Sequence, residues 1–319
     1  MNIGIIGEEF NYISYSMLLK SLGCEGINII WFVDARISRK KWEKLYGKSF
    51  DYGIIFRALK SLRNIFITNS CKTLCRIHGI PYIIPKDYDI NNGLPEQMYA
   101  HSESDYILVA GCDQLLNEKG LKLAKQKIIN YHYSPLPAYK GKYVMFWQWY
   151  NKEPYIGYSF HEIDLGIDTG KVIYQGKVET FGDETLPNTA KRVVDISSKH
   201  ICEVYNCLMN SESVMLNEEI QASYYPSSMY LDLITISPSK KIQEVLNVYQ
   251  QTGQVRLQNG LAVRKIVCVN DRRISQCKIE DIGVSVPLMD GHIVICPSER
   301  IPFVLFRLLV GRKMIAGLE

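Results

Sequence analysis

Apolar and polar positions along the chain repeat with two periods, and the alternation between them sets out the elements. Residues 2–7 (NIGIIG) form a short apolar strand ending in glycine, the spacing across 12–22 predicts an amphipathic helix, and 27–33 is the next strand. Strand, helix, strand in that order predicts a parallel sheet with helices on its faces. A helix over 52–62, a strand over 64–68 and a helix over 71–79 continue the alternation. The stretch 80–95 is punctuated by prolines and leaves room for at most a short strand. Residues 105–110 (DYILVA) then form a buried strand by composition, closed by Gly111.

A β-branched and aromatic run carrying Ile128, Ile129, Tyr131 and Tyr133 is stopped by Ser134-Pro135. A short helix over 144–150 follows, its Phe146, Trp147 and Trp149 read as core. A strand over 155–161 leads into the turn-rich 164–170, and another strand starts at Lys171. Apolar positions at three- and four-residue spacing predict one long amphipathic helix over 185–209, with Pro187 in its first turn, where proline is tolerated. The reading is therefore one α/β domain over 1–210, a Ser-, Asn- and Tyr-rich linker over 211–237, and a small domain over 238–319. In that last part a helix over 239–250 precedes short strands at 255–257, 261–269, 273–279 and 291–295, which suggest a small barrel. A final apolar run at 302–314 contains Arg307 and is too short to span a membrane, so a core or interface helix is expected, the latter suiting a homodimer.

Composition narrows the class. The chain has 319 residues, 47% hydrophobic and 22% charged, with a net charge of +4, too small to announce a nucleic-acid binder. Nothing at the N-terminus reads as a signal peptide. Nine cysteines scattered through apolar elements are most simply reduced thiols in a cytoplasmic protein. Cys71, Cys75 and His78 share a helix face, yet no second ligand pair follows, so no metal is expected. Residues 36–48 carry six basic side chains against Glu43, and Gly4 and Gly7 lack the full dinucleotide-binding fingerprint.

Strand alternation puts Asn130 and His132 on one face, and the turn at 164–170 is able to return Asp168 beside them. An amide, an imidazole and a carboxylate converging at strand ends supply an oxyanion donor, a proton acceptor and a group that orients the imidazole. Asn130-Tyr131-His132, Ser134-Pro135-Leu136-Pro137, Tyr139-Lys140-Gly141 and Gly166-Ile167-Asp168-Thr169-Gly170 together resemble the signature of the formyltransferases that use N10-formyltetrahydrofolate. Pro135 stands where that family commonly has Leu.

The resemblance implies a Rossmann-like parallel-sheet formyltransferase domain with an oligonucleotide/oligosaccharide-fold (OB-like) tail, and formyl transfer to a primary amine. Asn130, His132 and Asp168 would be catalytic. Gln114, Leu115 and Leu116, with Asp164, Gly166 and Ile167, would line the folate pocket. For the acceptor, Arg36, Arg39 and Lys40 would grip phosphates, with Lys140 and His161 also on the substrate; members acting on small acceptors often carry a histidine at the latter position. Residues 211–319 hold 12 basic and 11 acidic side chains, a net +1 that suits tRNA poorly. A nucleotide-linked amino sugar is therefore the expected acceptor. Methionyl-tRNA formyl transfer is the alternative, and a non-catalytic folate or sugar-nucleotide binder is a third reading of another class.

Overall fold

Seven strands make the main sheet: β1 (Asn2–Gly7), β2 (Asn28–Asp34), β3 (Tyr82–Ile83), β4 (Tyr106–Ala110), β5 (Lys127–His132), β7 (Tyr155–Glu162) and β8 (Val172–Glu179), in the spatial order β3-β2-β1-β4-β5-β7-β8. A computed structural model describes residues 1–36, 70–182, 184–216, 219–253, 255–258, 262–263, 265–279 and 284–296. The elements expected at 52–62, 64–68 and 302–314, and the residues Arg39 and Lys40, lie outside the described residues. Among those described, 1–36 and 70–226 form one compact unit and 227 onward a second.

Neighbours from β3 to β5 run parallel, whereas β5/β7 and β7/β8 are antiparallel. Chain progression reverses between β1 and β4, and the crevice at the carboxyl ends of such strands is where open α/β sheets hold ligands. Alternate residues supply two apolar layers. Ile3, Ile5, Phe32, Leu108, Ile129 and Tyr131 pack toward the helices α1 (Tyr12–Ser21), α5 (Leu186–Ser197) and α6 (Ile201–Asn210). Ile6, Trp31, Val33, Ile107, Val109 and Ile128 form the opposite layer. Burying each such side chain contributes about 1.5–3 kcal/mol. Asn130 and His132 continue the Ile128 face, where the apolar layer stops.

Three expectations change in detail. The buried face of α1 is largely serine: Ser14 donates to the carbonyl of Ala110 at 2.6 Å, and Ser21 pairs with the Tyr205 hydroxyl at 2.7 Å. The single helix over 185–209 is two helices joined by a 3-10 turn at Ser198–His200. Buried Ser197 and Ser198 bond back to Val194 and Asp195, and such side-chain competition bends helices. Between α1 and α5 in the chain, α2 (Cys71–Ile77), α3 (Glu96–Ala100) and α4 (Val144–Tyr150) follow in order, and Phe146 and Trp147 on α4 are buried. Cys24 and Cys202 are joined as a disulfide, so the reading of nine reduced thiols gives way to seven free ones.

The segment read as a linker carries β9 (Tyr224–Tyr225) and α7 (Ser227–Ile234). β9 pairs in parallel with β6 (Lys140–Gly141). In the second unit α8 (Ile242–Thr252) buries Ile242, Val245 and Val248 in a cluster with Val286, Ile293 and Ile295. Its strands are β10 (Val255–Arg256), β11 (Ala262–Val263), β12 (Lys265–Asn270), β13 (Lys278–Ile279), β14 (Val284–Leu288) and β15 (Gly291–Cys296). They make an antiparallel sheet β12-β15-β14-β13 and a separate pair β10-β11; among the described residues no barrel closes. No helix there is long and apolar enough to cross a membrane.

Candidate functional site

The site starts from the register of β5. Asn130 pairs across the ladder with His161 of β7, and His132 pairs with Ser159. Both histidines are buried, His161 with 2% of its surface exposed. Their rings stand edge to face, with centroids 6.0 Å apart. The loop after β5 is pinned from below: Ser159 Oγ donates to the carbonyl of Ser134 at 2.6 Å and accepts from Leu136 N–H at 3.1 Å. Gly157 on β7 lies under Pro135, and a Cβ there would stand 2.4 Å from the proline ring. The proline at this position is thus matched by a missing side chain on the neighbouring strand.

Each polar group has a definable protonation pattern. His132 Nε2 lies 3.0 Å from the Tyr139 carbonyl. A carbonyl only accepts, so Nε2 carries the hydrogen and Nδ1 of the neutral ring is bare. That bare nitrogen faces Asp168 Oδ1 at 3.7 Å, outside direct hydrogen-bond range but within strong electrostatic reach. Asp168 is held by its other oxygen, which accepts from Gly141 N–H at 2.8 Å. Gly141 has φ 104° and Asp168 has φ 52°. For the aspartate that left-handed backbone costs about 1–2 kcal/mol. Asp164 closes the same turn by accepting from Gly166 N–H at 2.9 Å and Thr169 Oγ1 at 2.7 Å, and the Thr169 bond holds its carboxyl below the usual range.

His161 donates from Nδ1 to the carbonyl of Glu162 at 2.8 Å, and its Nε2 is 3.1 Å from Asn130 Nδ2 and 3.6 Å from Asp168 Oδ1. Burial, reinforced by His132 and opposed by Asp168, depresses its pKa to about 4.

The expected site residues therefore fall into groups. Asn130, His132, Asp168 and His161 come together. Lys140 lies beside them in β6, its N–H on the carbonyl of Ser223. Leu115 is exposed, Leu116 belongs to the apolar layer, and the Gln114 amide ties down the carbonyls of Ala35 and Tyr88, both at 2.7 Å. Ile167 is exposed at the turn that carries Asp168. Arg36 sits apart from this cluster, paired with Asp34 and with Glu9 at 2.7 Å. At the end of β1, burial, with Asp113 and Asp34 nearby, raises the Glu8 carboxyl to about 7. Two partners escaped side-chain reasoning: the Tyr139 carbonyl and the Gly141 N–H, both in the Tyr139-Lys140-Gly141 stretch. Among the described residues no group of three His, Cys, Asp or Glu is arranged for a metal, and burial pushes the Cys75 thiol up to about 12.

Comparison with known proteins adds the following. Residues 89–205 match the family model described as Formyl transferase. A methionyl-tRNA formyltransferase of Alkaliphilus oremlandii is 27% identical over 175 residues, 55% of this chain and 56% of that protein. A GDP-perosamine N-formyltransferase of Brucella melitensis is 34% identical over 114 residues, 35% of this chain and 44% of that protein. The chain thus spans about half the length of the curated relatives it matches. An N-formyltransferase from Helicobacter canadensis, solved with folinic acid and dTDP-3-aminofucose, has a TM-score of 0.53 at 16% identity, covering 92% of this chain and 98% of that one. A sugar 3N-formyl transferase solved with dTDP and 5-N-formyl-THF gives 0.53 at 17%, covering 92% and 96%. These two structures share the fold.

Proposed function

We propose, from the match of residues 89–205 to the family model described as Formyl transferase, that the chain moves a formyl group from N10-formyltetrahydrofolate to a primary amine. The observation that carries the reading is the meeting of Asn130, His132 and Asp168 within the matched segment. The amine attacks the formyl carbon, and the developing oxyanion takes a hydrogen bond from Asn130 Nδ2; one such donor is typically worth on the order of 3 kcal/mol in the barrier. The amine's proton passes to the bare His132 Nδ1, and Asp168 stabilises the imidazolium that results. Collapse of the tetrahedral adduct breaks the bond from carbon to N10 of the folate, N10 takes up the proton that His132 accepted, which returns the ring to its neutral form, and the formamide leaves.

For the folate we assign the wall formed by Gln114, Leu115 and Leu116 and the turn carrying Asp164, Gly166 and Ile167. For the acceptor we favour a nucleotide-linked amino sugar, supported by the near-neutral 211–319 and by the local likeness to a GDP-perosamine N-formyltransferase. Arg36 is already engaged by two carboxylates, so contact with a pyrophosphate falls to Arg39 and Lys40, with Lys140 nearer the reacting groups. The small second unit is read as an OB-like tail. A methionyl-tRNA acceptor is the competing reading, supported by relatives such as that of Alkaliphilus oremlandii.

The test is tetrahydrofolate release from N10-formyltetrahydrofolate with dTDP-3-aminofucose, GDP-perosamine and methionyl-tRNA in turn. Turnover with a sugar nucleotide supports the proposal. Turnover with charged tRNA alone replaces the acceptor, and folate binding without turnover on any amine refutes catalysis.

A further inference from the structure

Resting on the formyl-transfer reading, we infer that His161 is a positioning residue whose bare Nε2 selects the orientation of the Asn130 amide, so that an N–H, not the carbonyl oxygen, faces the reacting formyl group. Donors and acceptors follow one another from Glu162 through His161 to Asn130. The Glu162 carbonyl lies 2.8 Å from His161 Nδ1 and only accepts, so Nδ1 carries the one hydrogen of the neutral ring. Nε2 is then a pure acceptor. At 3.1 Å the Asn130 amide can meet it only through its NH2 end, since the oxygen end would set two lone pairs against each other. An amide NH2 has two hydrogens; one is spent on Nε2 and the second remains to serve an oxyanion.

The pair is also fixed laterally, because Asn130 and His161 are direct partners across the β5/β7 ladder. The charged and titratable groups facing His161 are His132, Asp168 and Asp164. Burial and His132 outweigh the two carboxylates and keep the ring neutral at ordinary pH. Asp168 Oδ1, 3.6 Å from Nε2, offers a second lone pair and no bond, which leaves its charge to His132. A protonated His161 would present a donor at Nε2, turn the amide over and remove the oxyanion donor.

The experiment pairs nuclear magnetic resonance with a double-mutant cycle. In the wild-type protein the His161 Nε2 resonance is expected to remain that of a bare nitrogen from pH 8 to pH 5. The Asn130 side-chain NH2 signals, assigned by their loss in Asn130→Asp, should keep their positions in His161→Gln and move in His161→Leu. With the best amine from the panel above, His161→Leu should lower kcat on the order of 100-fold with folate KM unchanged, while His161→Gln, which keeps an acceptor, should recover at least a tenth of wild-type kcat. In an Asn130→Ala background His161→Leu should change kcat by less than about threefold. An equal loss in both backgrounds, or a protonated Nε2 at pH 7, overturns the assignment. If no amine is formylated, the reaction fails, yet the resonance data still decide the amide orientation by themselves.

Discussion

Asp168→Asn isolates one charge with little change of shape. The asparagine oxygen can keep the bond from Gly141 N–H that holds the turn, now 2.8 Å. What disappears is a negative charge 3.7 Å from His132 Nδ1. With an effective dielectric of about 20, a unit pair at that distance interacts by about 4 kcal/mol. In the proposed cycle the ring is neutral before attack and charged after it, so nearly all of that energy belongs to the barrier. The expected loss in kcat is therefore on the order of 1,000-fold. Single-turnover release of tetrahydrofolate measures it, with folate affinity and melting temperature as controls that should hold. A kcat within tenfold of wild type, in a variant that still binds folate, would show that Asp168 does not charge the imidazole and would refute the reasoning.

Three further outcomes follow from the packing and the titrating groups. Gly157→Val places carbon atoms where the Pro135 ring already sits 2.4 Å from the ideal Cβ, so a loss of about 1–3 kcal/mol or more in a denaturant melt is expected, and an unchanged midpoint would mean the loop gives way freely. His161, lowered from 6.5 to about 4, leaves the extra proton on the unfolded chain between those values; stability is lost as pH falls through that window, by up to roughly 3 kcal/mol. Glu8, raised from 4.5 to about 7, has the opposite sign, losing stability as pH rises from about 4.5 through 7. His161→Gln should flatten the acid side and Glu8→Gln the other in urea melts from pH 4 to 8, and unaltered curves in the variants would reject both assignments. Finally, thiol alkylation of the denatured chain without reductant should modify seven of the nine cysteines, and reduction of the Cys24–Cys202 bond should lower stability by about 2–4 kcal/mol; nine reactive thiols would disprove the link.

Much of the first unit was legible because its signals are local and repeated. The βαβ opening, the buried strand at 105–110 and the shared face of Asn130 and His132 all follow from side-chain period, which a strand imposes directly. What escaped was carried by backbone atoms or by exceptions to hydrophobic sorting. The Tyr139 carbonyl and Gly141 N–H belong to every peptide unit and leave no mark in composition. The inner face of α1 is polar in composition because its serines find buried partners, and the break near Ser198 comes from side-chain bonds that compete with the helix. β14 is absent from the strands read from the sequence; it contains Pro287, which among the described residues lies beyond the pairing of β13 with Val284 and Ser285.

The antiparallel return of β7 along β5 makes the sheet itself a ruler for the chemistry. Asn130 meets His161 because of a count of rungs, and the adjoining loops do not enter that count. Gain or loss of a single residue between Tyr155 and His161 would bring Phe160 or Glu162 opposite the amide and mis-set the reaction centre. Variation in this lineage should therefore concentrate in length changes outside β5 and β7.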